Sequence, residues 1–132
     1  MGINIVNHKI ELSSELEAGD KDVRNVITAM VRSTRFSESP EVNSIYFETY
    51  EDMAVDLMEK IKKDAMERFH VTEVSIVQRV GQIPVGDYSF LVSVSARRID
   101  DAFSACKFVV EEINSELPIW KYEVRDKNGP GL

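Results

Sequence analysis

The stretch Tyr88-Ser89-Phe90-Leu91-Val92-Ser93-Val94-Ser95-Ala96 decides the fold. Tyr88, Phe90, Val92, Val94 and Ala96 fall on one side and Ser89, Leu91, Ser93 and Ser95 on the other. That period of two belongs to a strand with one buried face. Upstream, Gly81 to Asp87 (GQIPVGD) carries Pro84 and Gly86 and reads as a turn, and Val71 to Val80 before it reads as another strand. The two strands predict an antiparallel hairpin with its apolar side toward a core. A hairpin at the centre argues against an all-parallel doubly wound sheet and for an α+β fold.

Outward from the hairpin, two helices are legible. Asp52 caps the first, whose stripe is Ala54, Leu57, Met58, Ile61, Ala65 and Phe69. Asp100 or Asp101 opens the second, with Phe103, Cys106, Val110, Ile113 and Leu117 along one side and Pro118 as its stop. Val42 to Tyr50 alternates as a strand, Ile119 to Val124 reads as a last strand, and Arg125 to Leu132 reads as a flexible tail. Ser33 to Glu41 (STRFSESPE) is polar and Ser-rich, the composition of a mobile loop. Ile3 to Leu12 predicts a strand broken near Asn7-His8, and Ser13 to Asp20 a helical turn. In Asp22 to Arg32, Val23, Val26, Ile27, Met30 and Val31 stand at helical spacing while the β-branched content favours a strand; periodicity leans to helix. With no repeat and no linker, residues 1–132 read as one domain.

The chain has 132 residues, enough for a single core, and a net charge of −7. That sign disfavours nucleic acid and anionic membranes as partners. A lone cysteine, Cys106, rules out an internal disulfide framework and reads as a core residue on its helix. His8 and His70 have no ligand-spaced neighbours, so no metal site is expected. Neither a membrane-spanning run nor a secretory leader is evident, and the expectation is a soluble, cytoplasmic protein.

Against the acidic background, a few cations stand out. Arg97 and Arg98 leave the long strand just before a helix start, where a guanidinium fork and helix N–H groups suit phosphate or carboxylate. Adjacent residues leaving a strand point to opposite sides, so both serve one pocket only if a second subunit supplies the other side. The plainer reading is two solvated arginines. Lys121 follows Trp120; an aromatic neighbour that partly desolvates the amine suits it to proton transfer or nucleophilic attack, and the plainer reading is a snorkelling surface lysine. Arg32 and Arg35 lie at the root of the Ser-rich loop, either as an anion clamp or as ordinary loop charge.

Taken in order, Val31-Arg32, the polar loop, Val77-Gln78-Arg79-Val80-Gly81, Pro84-Val85-Gly86-Asp87, Val94-Ser95-Ala96-Arg97-Arg98, Ala102-Phe103 and Pro118-Ile119-Trp120-Lys121 resemble the large, catalytic subunit of molybdopterin synthase, from about Asp22 to Val124. The resemblance implies an α/β-hammerhead-type domain with an antiparallel or mixed sheet and two main helices. It makes Asp22 to Arg32 a strand, in place of the helix that periodicity favours. It also implies a homodimer of large subunits with a small ubiquitin-like sulfur-carrier subunit at each end, a heterotetramer, and no cofactor. Sulfur would pass from the carrier's C-terminal thiocarboxylate to cyclic pyranopterin monophosphate, giving the dithiolene of molybdopterin.

Under that resemblance Lys121 is the catalytic lysine, Arg32 binds the anionic substrate, and Arg98 reaches the pocket from the neighbouring subunit. Arg97 stands where the family usually has histidine, and Asn114 where it usually has a second pocket lysine; both are counted among the substrate-binding positions. Ala29-Met30 replaces a typical Gly-Lys pair, and the tail after the Trp-Lys strand is short. An asparagine can hydrogen bond but cannot carry a proton as an amine does. The alternative implied by that departure is a catalytically impaired relative acting as a carrier-binding or regulatory subunit. Further off stands a small-anion-binding domain with no carrier.

Overall fold

A computed structural model describes residues 2–17 and 22–125. Its elements are β1 (Ile3–Val6), α1 (Leu12–Glu17), β2 (Asn25–Arg32), β3 (Val42–Glu48), α2 (Glu51–Arg68), β4 (Glu73–Arg79), β5 (Gly81–Pro84), β6 (Tyr88–Ala96), α3 (Ile99–Glu116) and β7 (Trp120–Arg125). They form a four-stranded sheet in the order β1-β4-β6-β2 and a three-stranded sheet in the order β5-β3-β7. β1 runs parallel to β4, and every other pairing is antiparallel. The α+β class, the mixed sheet and the two long helices agree with expectation. Of the expected tail over 125–132, Arg125 is the last residue of β7, and residues 126–132, like the end of the expected 13–20 helical turn, lie outside the described residues.

β6 is hydrogen-bonded to β4 on one side and β2 on the other. Its Phe90, Val92 and Val94 join Val74 and Ile76 of β4 beneath α2 and α3, against Met58, Ile61, Ala105 and Val109. The opposite face was expected to be open, and it is closed. Leu91 and Val77 pack under Ile10, and Ser75, Ser93 and Ser95 are buried as well. The N-terminal arm returns across this face, and serine side chains are short enough to be shielded between flanking strands.

The alternation also breaks at one point. Met30 pairs with Leu91 and Val31 with Phe90, but Arg32 pairs with Tyr88, leaving Ser89 as the extra residue of a bulge. The bulge turns Tyr88 onto the Leu91 side, where it packs against Ile10, Val77 and Leu91.

β2 is the strand that the family resemblance implied, because β6 offers it a full ladder of partners from Asn25 to Arg32. Tertiary pairing overrides the helical spacing of its apolar residues. Gly81–Asp87 is more than a turn: Gly81–Pro84 forms β5 and pairs with β3, which leaves the reversal to Val85–Asp87. Gly81 (φ 91°) and Gly86 (φ 98°) occupy backbone regions that side chains disfavour.

The helix starts differ by a residue or two from expectation. Tyr50 and Arg98 are the N-cap residues of α2 and α3, neither with a side-chain cap bond, while Asp52, Asp100 and Asp101 sit in the first turns, where the helix dipole favours them. The stripe of α3 is Ala102, Ala105, Cys106, Val109 and Ile113; Phe103, expected on it, is 58% exposed. Among the described residues no helix is long and apolar enough to cross a membrane.

Two substitutions test the doubly covered sheet. Leu91→Ala should cost ~2–5 kcal/mol in urea unfolding, as for a fully buried leucine. Ser75→Ala should be neutral or stabilising by up to ~1 kcal/mol, because the buried Ser75 hydroxyl has no hydrogen-bond partner. A loss under 1 kcal/mol for Leu91→Ala would mean that this face is open.

Candidate active site

The two sheets meet where β2 ends and β6 begins, and the last turn of α3 closes over the junction. A cavity of about 130 Å³ lies there, lined among others by Val31, Phe47, Gln78, Ser89, Asn114 and Lys121. Lys121 reaches it because β7 pairs with β3 so that Lys121 stands opposite Phe47, with Nζ 5.5 Å from the centre of that ring. Trp120, the aromatic expected to desolvate Lys121, faces the other side of β7 by strand alternation, edge-on to Tyr50 at 5.4 Å. Phe47 is therefore the aromatic beneath the amine, and Lys121 itself remains exposed.

Asn114 enters from the last turn of α3 and shares the cavity with Lys121. The floor is set by Gln78, which is only 5% exposed and whose Nε2 donates to Arg79 O (2.9 Å) and Ser89 O (3.2 Å). Both amide hydrogens are thus spent on the backbone, so the carboxamide oxygen is what Gln78 can offer a ligand. Ser89 Oγ donates to Val31 O (3.1 Å), tying the bulge to β2. Sequence reasoning passed over Gln78 and Ser89. Neither stood out in the sequence: β4 (EVSIVQR) also carries Glu73, Ser75 and Arg79, and Ser89 is one of several serines on β6.

The arginines lie elsewhere in the single chain. Arg32 follows the cavity-lining Val31 but turns to the opposite face of β2, donating from Nη1 to Gly86 O (3.1 Å) and from Nη2 to Tyr88 OH (3.2 Å). Arg98 caps the N-terminus of α3, sixteen positions before Asn114, about 24 Å away along a helix rising 1.5 Å per residue. Arg97 borders a different cleft with Arg24 and Thr72, and its carbonyl accepts from Asn25 Nδ2 at 2.7 Å. Lys121 and Asn114 are brought together; Arg32, Arg97 and Arg98 are not brought to them within one chain.

The Ser33–Glu41 segment, expected to be a mobile loop, is tied down at several points. Arg35 Nε donates to Val42 O (2.6 Å), and Arg125 Nη1 donates to Ser39 Oγ (2.8 Å). Glu123 Oε2 accepts from the backbone N–H groups of Phe36 (2.8 Å) and Ser37 (2.9 Å). The Ser37 side chain acts most strongly, and together with these two N–H groups and nearby Arg125 it holds the Glu123 carboxyl below the usual carboxylate range, against the opposing effect of desolvation, which is second in size. Glu123 stands two residues beyond Lys121 on the same face of β7, so it links the loop to the strand that carries the lysine. No sequence motif pointed to it, since its partners are backbone groups some 86 residues away. Burial pushes the Cys106 thiol up, a hydrogen bond to the Ala29 backbone opposing it, which suits a packed core residue. Among the described residues no group of three His, Cys, Asp or Glu is placed to hold a metal ion.

Comparisons with known proteins agree with this geometry. The profile of the MoaE protein family matches residues 10–116. A molybdopterin synthase catalytic subunit of Pyrococcus abyssi is 38% identical over 87 residues, 66% of this chain and 59% of that protein, so the match spans less than two thirds of that relative's length. The catalytic subunit of Dictyostelium discoideum is 30% identical over 124 residues, covering 92% of this chain and 78% of its own. Among solved structures, molybdopterin synthase from Staphylococcus aureus superposes with a TM-score of 0.83 at 25% identity, over 94% of this chain and 91% of the other.

The Glu123 anchor predicts a pH effect of definite sign. A carboxyl whose folded pKa is lowered contributes stability above its unfolded pKa of about 4.3 and loses it as the pH falls through the lower folded value. The amides of Phe36 and Ser37 should therefore be protected from hydrogen exchange at neutral pH and lose protection only as the pH falls through the lowered folded pKa, below the ordinary glutamate range. Glu123→Ala, which leaves no acceptor, should expose both amides already at pH 7. Equal protection in the variant and the wild type would remove Glu123 as the anchor.

Proposed function

The chain belongs to the MoaE protein family, and from that membership we propose that it is the large, catalytic subunit of a molybdopterin synthase. In this reading it is a cytoplasmic sulfurtransferase of molybdenum cofactor biosynthesis, taking sulfur from a thiocarboxylated small carrier subunit and passing it to cyclic pyranopterin monophosphate. The observation that carries the reading is the cavity shared by Lys121 and Asn114 at the junction of the sheets.

Both reactants are anionic, one a thiocarboxylate and the other a phosphate ester. As sulfur leaves the carrier's acyl carbon, negative charge gathers within the cavity. Lys121 is the one cation among the residues lining it, and it supplies charge stabilisation and a transferable proton. Asn114 can donate and accept hydrogen bonds and so orient the tail or the pterin, without moving a proton. The Gln78 oxygen suits an N–H of an extended C-terminal peptide.

Arg97 and Arg98 lie too far along α3 to serve the cavity of their own chain, which supports a homodimer in which the second copy contributes them. Arg32, on the face of β2 turned away from the cavity, is assigned to the substrate phosphate by the family resemblance. Tyr46, Trp120 and Tyr122 are exposed on the outer face of the second sheet, next to the exposed Tyr50 and Met53 at the start of α2. A contiguous aromatic surface of this kind supports protein partners, a second large subunit and a carrier at each end of a heterotetramer. Asn114 in the cavity also favours the alternative, an impaired relative that binds the carrier without turnover.

Turnover separates the two readings. Mixed with thiocarboxylated carrier and cyclic pyranopterin monophosphate, the wild-type chain should form the dithiolene product. Lys121→Ala should lower the rate at least ~100-fold, the scale of a lost general acid–base group. Asn114→Lys should raise the rate, with a stability change of only a few tenths of a kcal/mol at a late-helix position. No product from the wild-type chain, with the carrier still bound, would establish the impaired relative.

A further inference from the structure

The segment Arg79-Val80-Gly81…Pro84-Val85-Gly86-Asp87 carries much of the family resemblance, yet neither Arg79 nor Asp87 lines the cavity. The two side chains form the ion pair most withdrawn from solvent among the described residues: Arg79 Nη1 lies 3.1 Å from Asp87 Oδ2, with the side chains 11% and 30% exposed. Arg79 Nε is buried without a partner. A guanidinium held this dry with one donor unspent is costly, so the pair calls for an explanation beyond surface solvation.

What the pair closes is the reversal between β5 and β6. That reversal grips the chain at the start of the 33–41 loop. Ser33 N–H donates to Asp87 O (2.8 Å), Gly86 N–H donates to Ser33 O (2.9 Å), and Arg32 Nη1 donates to Gly86 O (3.1 Å). The Arg32 guanidinium also lies 4.9 Å over the Tyr88 ring. Left free, an exposed arginine at a strand end would sample many rotamers. Held by Gly86 O and Tyr88, it keeps Nε–H and its remaining N–H groups for an anion in one direction.

The geometry points to Arg79 and Asp87 as positioning residues. Their ion pair fixes the Gly86–Asp87 turn, and the turn sets the direction of the Arg32 guanidinium and the root of the Ser33–Glu41 loop. This rests on the proposed reading of Arg32 as a ligand of the substrate phosphate.

The test replaces the pair with apolar groups, Arg79→Met together with Asp87→Leu, which leaves Arg32, Ser33 and Gly86 in place and removes the buried charges together. In the complex with thiocarboxylated carrier, KM for cyclic pyranopterin monophosphate should rise ~10-fold while kcat stays within about twofold, the signature of lost binding rather than lost chemistry. Adding Arg32→Ala to the double variant should raise KM little further, because both changes act through one guanidinium. Hydrogen exchange at Ser33 and Gly86 should accelerate while the β4–β6 ladder stays protected. If the double variant does not fold, Asp87→Asn is read by the same measurements. An unchanged KM, or effects that multiply independently with Arg32→Ala, would overturn the proposal. Absence of turnover in the wild type would sink the functional reading alone. The exchange arm still decides the positioning role, and wild-type protection of Ser33 and Gly86 in the variant would overturn it.

Discussion

Everything that approaches the cavity is referenced to the burial of β6 on both faces. Pairing with β4 and β2 satisfies its backbone, α2 and α3 cover Phe90, Val92 and Val94, and Ile10 covers Leu91. A strand held in this way cannot slip, since a shift of one residue would exchange the two cores. Its one irregularity, the extra Ser89, therefore has consequences at a fixed place. Tyr88 and Arg32 turn to one side of the sheet, while Val31 and Ser89 border the cavity on the other. The close packing of α3 against the same sheet then delivers Asn114 to that cavity.

Much of this architecture was legible in the residues. The alternation from Phe90 to Ala96 and the stripes of α2 and α3 are local signals, and local signals survive into the fold. The failures share a physical origin in partners distant along the chain. β2 carries helical spacing but is a strand because β6 supplies its ladder. The serine side of β6 looks solvated because nothing local announces that Ile10 will return over it. Pro84 and Gly86 announce a turn, while the pairing of Gly81–Pro84 with β3 is set by tertiary contact.

The site divides along the same line. Lys121 and Asn114 were singled out from the sequence and share one cavity. The aromatic beside Lys121 was misjudged: a strand sends Trp120 away from its neighbour, and Phe47, from another strand, takes the place beneath the amine. Glu123 and Gln78 left no readable mark, because each acts on backbone groups that only the folded chain assembles. The arginines are the other half of the account. Placed far from Lys121 within one chain, Arg97 and Arg98 enter the proposed function only through a second copy.

A crystal structure of the chain bound to its carrier tests the central claim most directly. The account predicts a dimer of large subunits, with the carrier's C-terminal residue inside the cavity, within hydrogen-bonding distance of Lys121 Nζ and Asn114, and with Arg98 of the partner subunit closing the same pocket. A carrier tail lying elsewhere, or a dimer that leaves Arg98 of the partner subunit on a surface remote from Lys121, would contradict it.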